Sequence, residues 1–476
     1  MCRNAFVALV LVSCAFLAAC GSGSMMKTPP TVNAVPMSLT IGDTPPSGVA
    51  VLFFEASITG GSLQPSDMTK SAVPVVTTPV EVEFGHLQTN TAFLSLANIA
   101  PDTYASLNLT FSNAVLTIVN HSGAAIGSCA NNTVCQITPS FHPSSAMLSS
   151  APFPLTVDAN STFGIKLDFN VNSSLQSDLS VNPTVTVAKV THRHREDDQG
   201  DMEDVDDVDG QVTAVGTNMF TLMNERSGQS FTINVGSNTV FEDFDRGGCT
   251  AMPQNFTCVM TGQIVEADLG ESGTGSMLAK RVRLEEQVNR GVLKATITSV
   301  DSSTQFHAVV FNEEPTVSGV AEGSAVVVTI AQGATFLASS EEMGEDGGFT
   351  QTGLSFASAA DLMVGQDVQM HPQTVTSTGG VTTITADRIR LRPSQITGQV
   401  GTINSDGTFT LTGLSPLFTG ATPAVTSIKV ESVLEMEFED VSGFNGLAAG
   451  NTVSLRGLLF NTSGSPTLLV NAIRKQ

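Results

Sequence analysis

A stretch beginning Gly210-Gln211-Val212 returns at Gly398-Gln399-Val400, and more loosely at Gly291-Val292-Leu293. Each copy continues through the same order of segments. An apolar strand comes next, as in Phe231–Val235, Val326–Ile330 and Ile428–Val433. A glycine turn then opens a second strand at Gly262-Gln263-Ile264, Gly365-Gln366-Asp367 and Gly450-Asn451-Thr452. Each copy closes on a cation-bearing run: Lys280-Arg281-Val282-Arg283, Arg388-Ile389-Arg390-Leu391-Arg392 and Ile473-Arg474-Lys475. Three copies at a period of roughly 80–105 residues imply three homologous small domains, each closing its own core. Apolar and polar residues alternate with period two, and turn pairs such as Asn404-Ser405 and Asp406-Gly407 punctuate the runs. Such units are expected to be β-barrels of five or six strands, strung like beads.

The same alternation governs the residues before the repeats. Phe163, Ile165, Leu167, Phe169 and Val171 alternate with Gly164, Lys166, Asp168 and Asn170, the pattern of a half-buried strand. No stretch beyond the N-terminal leader carries a sustained helical apolar stripe. The fold class expected is therefore all-β: a β-sandwich over 36–191 followed by barrel repeats over 210–290, 291–395 and 396–476. In the sandwich a Pro101-Asp102-Thr103-Tyr104 turn delivers Tyr104 to the start of a strand. There its hydroxyl is placed to bond back to the backbone, as in a tyrosine corner.

These segments carry two resemblances. The turn Asp43-Thr44-Pro45-Pro46-Ser47-Gly48, the Pro-Asp-Thr-Tyr turn, the Leu167-Asp168-Phe169 strand and the run Pro183-Thr184-Val185-Thr186-Val187 resemble the bacterial lipoprotein family called domain of unknown function 4382. The match spans about a third of the chain, and its motifs are turns rather than catalytic signatures. The repeats are similar to domain of unknown function 5666, found in exported bacterial proteins. Barrels of this size also resemble the OB-fold, although the chain's negative charge argues against the usual OB ligand. Neither family resemblance implies an activity.

The leader places the chain in the envelope. Arg3 precedes an apolar run from Ala5 to Ala19, shorter than the roughly 20 residues that span a bilayer. It reads as a signal peptide over 1–20, and Leu17-Ala18-Ala19-Cys20 looks like a lipobox, with Cys20 as the lipidation site. The alternative, Leu11-Val12-Ser13-Cys14, leaves a very short apolar segment. Gly21 rather than Asp follows Cys20, and resemblance to Gram-negative sorting then points to the outer membrane. Residues 21–35 read as a flexible tether. Cys129, Cys135, Cys249 and Cys258 remain beyond the leader. Their even number and short spacings suggest two local disulfides in an oxidising compartment. A zinc site is the alternative, without the C-x-x-C spacing of one.

Composition and motifs then bound the chemistry. Lys and Arg total 21 against 44 Asp and Glu, a net charge of −23, which argues against phosphate neutralisation and hence a nucleic-acid partner. There is no Trp and one Tyr against 26 Phe, so stacking platforms for sugars are scarce. No G-x-S-x-G, H-E-x-x-H or P-loop occurs, the seven His are scattered, and no enzyme is expected.

The stretch from Thr191 to Asp209 stands apart, with His192 and His194 alternating with Arg193 and Arg195 and then a run of carboxylates. It reads as an acidic linker over 192–209. The alternative is a weak divalent-cation site, Ca2+ for instance, drawing on His192, His194, Asp207 and Asp209. An EF-hand register fails, because Gly210 in its sixth place puts Val205 first and Gly216 twelfth. No other cofactor is expected. The cations of the closing runs form either a stripe for an anionic polymer or cross-strand pairs with Asp and Glu, the reading favoured here. The resulting expectation is a non-catalytic, lipid-anchored envelope protein with a structural, adhesive or ligand-presenting role. A binding module for a glycan or divalent cation is the alternative. The partners expected are the membrane, through the lipid, and an envelope protein or polysaccharide.

Overall fold

The computed structural model describes residues 35–190 and 205–476, apart from 45–49, 90, 160–162, 225–227, 229, 246, 273–275, 287–290, 315, 339–342, 344–352, 405 and 463–465. In chain order the first unit contributes Val35–Thr44 (β1), Ala50–Pro65 (β2), Val73–Val76 (β3), Val80–Glu83 (β4), Ala92–Ile99 (β5), Asp102–Asn120 (β6), Thr133–Ile137 (β7), Ser145–Leu148 (β8), Leu155–Val157 (β9), Phe163–Asn170 (β10) and Val185–Val190 (β11). One sheet has the order β11-β10-β1-β5, and the other runs β3-β2-β6-β7 with β4, β8 and β9 paired on its edges. Alternate residues Met37, Leu39 and Ile41 of β1 and Ile165, Leu167 and Phe169 of β10 face the second sheet and are fully buried. Tyr104 is also buried there, and its hydroxyl donates to the Ala100 carbonyl at 2.8 Å, closing the expected corner.

The remainder forms three barrels. The first comprises Val205–Val215 (β12), Met219–Met223 (β13), Ser230–Glu242 (β14), Ile264–Ser272 (β15) and Ser276–Glu286 (β16). The second comprises Val292–Ser302 (β17), Gln305–Glu314 (β18), Ala325–Leu337 (β19), Asp367–Thr378 (β20) and Val381–Arg392 (β21). The third comprises Ser394–Ile403 (β22), Phe409–Thr412 (β23), Ile428–Glu439 (β24), Thr452–Phe460 (β25) and Thr467–Lys475 (β26). Each closes in the order first-second-third-fifth-fourth strand, with the third and fifth parallel, which is the OB-fold topology.

Pairing register explains the glycine that marks the repeat. A Cβ on Gly210 would lie 2.6 Å from the Met223 carbonyl oxygen, and one on Gly398 would lie 2.7 Å from that of Thr412. The first strand crosses the second too closely there for a side chain. In the middle barrel the equivalent place is Ala295 rather than Gly291. Gly210 pairs with Val265, Gly398 with Val453 and Ala295 with Val368, each three residues past the fourth-strand turn glycine. The loose copy at Gly291 is therefore four residues out of register, and Ala295-Thr296-Ile297-Thr298 matches Gly210-Gln211-Val212-Thr213.

The modules are not separate beads. Ala50, Leu52, Phe53 and Val119 of the sandwich share one apolar cluster with Val309, Met363 and Val364 of the middle barrel and with the core of the third. Val433, Leu458, Phe460 and Leu469 of the third barrel in turn join the middle barrel's cluster. The first barrel keeps a core of its own and touches the sandwich through Phe231 on Phe93 at 5.7 Å, so its attachment to the second barrel has another basis.

Candidate functional site

That basis is a row of polar side chains on the outer face of each barrel, running across its first, fourth and fifth strands. In the first barrel the row is Asp209, Glu266 and Arg283; in the middle barrel Lys294, Gln369 and Arg390; in the third Thr397, Ser454 and Arg474. A residue two further along the fifth strand adds Glu285 to the first row and Arg392 to the second. The first two barrels meet through these equivalent faces, with opposite charges at two matching places, Asp209 against Lys294 and Glu285 against Arg392. Lys294 Nζ lies 2.7 and 2.9 Å from the two carboxylate oxygens of Asp209 and 3.2 Å from Glu266 Oε2. Arg392 reaches Glu266 Oε2 at 2.5 Å and Glu285 Oε1 at 3.4 Å, and Arg390 reaches Asp243 Oδ2 at 3.3 Å. Arg283 donates to the other Glu266 oxygen from within the same barrel.

Four carboxylates (Asp209, Asp243, Glu266, Glu285) thus face four cations (Arg283, Lys294, Arg390, Arg392), all buried; Glu266 is 2% and Arg283 1% exposed. Desolvating such ions costs several kcal/mol apiece, which close pairing must offset. The titration of the groups reflects that contest. Burial pushes the Asp209 carboxyl up to about 6, against the opposing pull of Lys294 and with help from Glu266 and Glu285. Burial also acts to raise Glu266, but Arg283, Arg392 and Lys294 around it prevail and hold it well below the ordinary carboxylate range. Glu285 is lowered likewise: Arg392, Lys294 and Arg283 outweigh its burial and the repulsion of Glu266. Lys294 is raised, because Asp209 and Glu266 outweigh the burial of its ammonium.

The sandwich enters the junction through the turn after β4. Glu83 Oε1 accepts from the backbone N–H groups of Phe54 at 3.0 Å and Gly85 at 2.9 Å, and its Oε2 lies 2.8 Å from His86 Nδ1. The His86 ring stacks on Phe311 at 3.9 Å and turns Nε2 toward Thr296 Oγ1 at 3.4 Å and Asp367 Oδ2 at 3.9 Å. Thr296 donates to Asp367 at 2.6 Å, and burial pushes the Asp367 carboxyl up to about 6 although His86 and Thr296 oppose it. This acid–histidine–acid line borders a void of about 80 Å³ between the sandwich and the two later barrels. The third barrel's row also faces the sandwich: Thr397 donates to Gln88 Oε1 at 2.8 Å, and Arg474 Nη2 lies 3.4 Å from Asp168. Arg474 lies 3.7 Å from Glu439 and 3.6 Å from Asp440 of its own barrel, and Lys166 of the sandwich lies 2.6 Å from Glu439.

The residues singled out in the sequence are dispersed by this arrangement. Cys20, His192 and His194 lie outside the described residues, as does most of the stretch read as an acidic linker. The first barrel strand already begins at Val205, so Asp207 and Asp209 sit in a strand rather than in a spacer. The side chain of Asp207 is likewise outside the description. Asp209 is occupied by the Lys294 ammonium, which stands where a coordinated cation would have to be. Among the described residues no group of three or more His, Cys, Asp or Glu side chains is placed to hold a metal. Cys129–Cys135 and Cys249–Cys258 are disulfide-bonded. Of the closing-run cations, Arg281 pairs with Asp268 at 2.6 Å, and Arg283, Arg390, Arg392 and Arg474 serve the junctions. Lys294, Glu266, Asp367 and His86 carry no motif that would have drawn them out.

No family model matches the chain, and no curated protein matches it. Two solved structures to which it is similar are a multidomain protein with nucleic acid binding domains from Streptococcus pneumoniae TIGR4 and drosophila Unr CSD456. The first is 8% identical over 56% of this chain and 72% of that chain, and the second 11% identical over 56% and 96%. Both have a TM-score of 0.11. At that score neither assigns a ligand. One expectation is corrected all the same: net charge by itself does not exclude a nucleic-acid partner. The physical reason is that −23 is a sum over the whole chain, whereas phosphate contact depends on the few cations of one face.

Proposed function

We propose that the chain is a non-catalytic, lipid-anchored protein of the bacterial cell envelope, held at the outer membrane through Cys20, whose modules form a structural or ligand-presenting body. The observation that carries the structural part is the burial of charge between modules. Buried ionisable groups in an enzyme usually converge on a cleft, whereas Asp209, Glu266, Glu285, Lys294 and Arg392 here converge on one another across the contact of two barrels. The lipobox-like Leu17-Ala18-Ala19-Cys20 and the resemblance to domains of unknown function 4382 and 5666 support the anchoring and the compartment. The two disulfides agree with an oxidising compartment. Metabolic labelling with an alkyne fatty acid tests the anchor. Label in the outer-membrane fraction of cells producing the full chain, lost in Cys20→Ala with release of soluble protein, is the expected result. An unlabelled wild-type chain would refute it.

A further inference from the structure

A wide opening lies away from the ionic junction, where the sandwich, the middle barrel and the third barrel leave a cleft of about 950 Å³. That is the upper end of the roughly 300–1,000 Å³ range of small-molecule sites, and module boundaries are a common location for them. The sandwich contributes His121, whose Nδ1 lies 3.0 Å from Asn132 Oδ1. Strand β17 contributes Thr298, and the loop leading into β24 contributes Thr422, Thr426 and Ser427.

The chemistry of the lining narrows the ligand. Lys and Arg are absent from the described lining, so a phosphate or sulfate would find no counter-charge. Its single carboxylate, Asp301, lies 2.9 Å from His307 Nε2, which is too few oxygens for a hard cation. What the walls do offer is hydroxyl groups. Those of Thr298, Thr422, Thr426 and Ser427 make no hydrogen bond to another described residue, and they line one space from two modules. A hydroxyl donates once and accepts twice, so four of them with an imidazole suit a partner that is itself uncharged and densely hydroxylated. No Trp, Tyr or Phe is among the described residues of the lining, so recognition would rest on hydrogen bonds rather than on stacking.

We infer that this three-module cleft binds a short neutral oligosaccharide. The inference is independent of the lipid anchor, since it uses only the folded modules. Titration calorimetry of the folded protein lacking residues 1–20 would use maltotriose, cellotriose and chitotriose as neutral probes, with a heparin tetrasaccharide and a short oligothymidylate as charged ones. At least one neutral trisaccharide should bind. Thr426→Val with Ser427→Ala, both on the cleft wall, should weaken it at least tenfold while thermal unfolding stays unchanged. A separate Thr298→Val variant, on the other module, should weaken it as well. Absence of binding by all three neutral probes at 10 mM, tighter binding of either polyanion, or neutral binding that both sets of variants leave untouched would each overturn the assignment.

Discussion

Replacing Lys294 by Met retains most of the aliphatic stem and removes the ammonium that, among the described residues, Asp209 contacts. The neighbouring carboxylate Glu266 keeps Arg283 and Arg392, so the loss falls on Asp209. Removing one partner of a buried ion pair typically costs about 3–5 kcal/mol. The structure adds a ceiling, because an abandoned carboxylate escapes by taking a proton. Because its folded value is already about 6, taking a proton at pH 7 costs only about 1.4 kcal/mol beyond the native state, at about 1.4 kcal/mol for each pH step. Lys294→Met should therefore cost about 1–2 kcal/mol at pH 7, less than that typical loss, and little at pH 5, where Asp209 already carries a proton in the native fold. Adding Asp209→Asn should recover most of the loss. Several modules preclude a single unfolding free energy, so hydrogen exchange in β12 and β15 is the suitable assay, read as local opening. A loss above about 3 kcal/mol at pH 7, or one of equal size at pH 5, would refute the reasoning.

Asp367 gives an independent pH test. Its folded value of about 6 lies above 3.8, so its contribution to stability is greatest below 3.8 and declines as pH rises through 6. The total is about 3 kcal/mol. Asp367→Asn should flatten that decline, and an unchanged profile of denaturation midpoint against pH would contradict it. Tyr104→Phe removes the hydroxyl that holds Ala100 and should destabilise the sandwich by about 1 kcal/mol, measured by urea denaturation with the barrels' exchange unaltered. Phe53→Ala, at the shared apolar cluster of sandwich and barrels, should cost about 3–5 kcal/mol and raise exchange in both modules together; exchange confined to the sandwich would show that the modules are not coupled there. Replacing Cys249 and Cys258 by Ser opens a loop whose closure contributes about 2–3 kcal/mol, with exchange around residues 244–258 as the measure.

Much of the architecture is legible in the sequence. Alternation such as Phe163, Ile165 and Leu167 marks strands whatever they pack on, the repeated glycine turns mark the three barrels, and the cysteine spacings mark the disulfides. The ionic junction is not legible, for a definite reason. Lys294, Glu266 and Asp209 occupy outward positions of their strands, where a charged residue is the ordinary consequence of facing water. Nothing local distinguishes an outward face that another barrel covers from one that solvent covers. The register slip at Gly291 has a similar origin. Ala295 is small enough to fill the place of the repeat's glycine, so the alignment settled on a different glycine and concealed that Lys294 answers to Asp209. Once the registers are matched, the charge reversal between equivalent residues of adjacent repeats can be read directly from the chain.

The central claim is that paired charges fix the first barrel against the second. The distance distribution between spin labels at exposed Thr213→Cys in the first barrel and Ser377→Cys in the second measures that directly. A single narrow distance at pH 7, broadened by Lys294→Met and narrowed again by adding Asp209→Asn, is the result this account predicts. A broad distribution in the otherwise unaltered chain, as from barrels swinging on a linker, would contradict it.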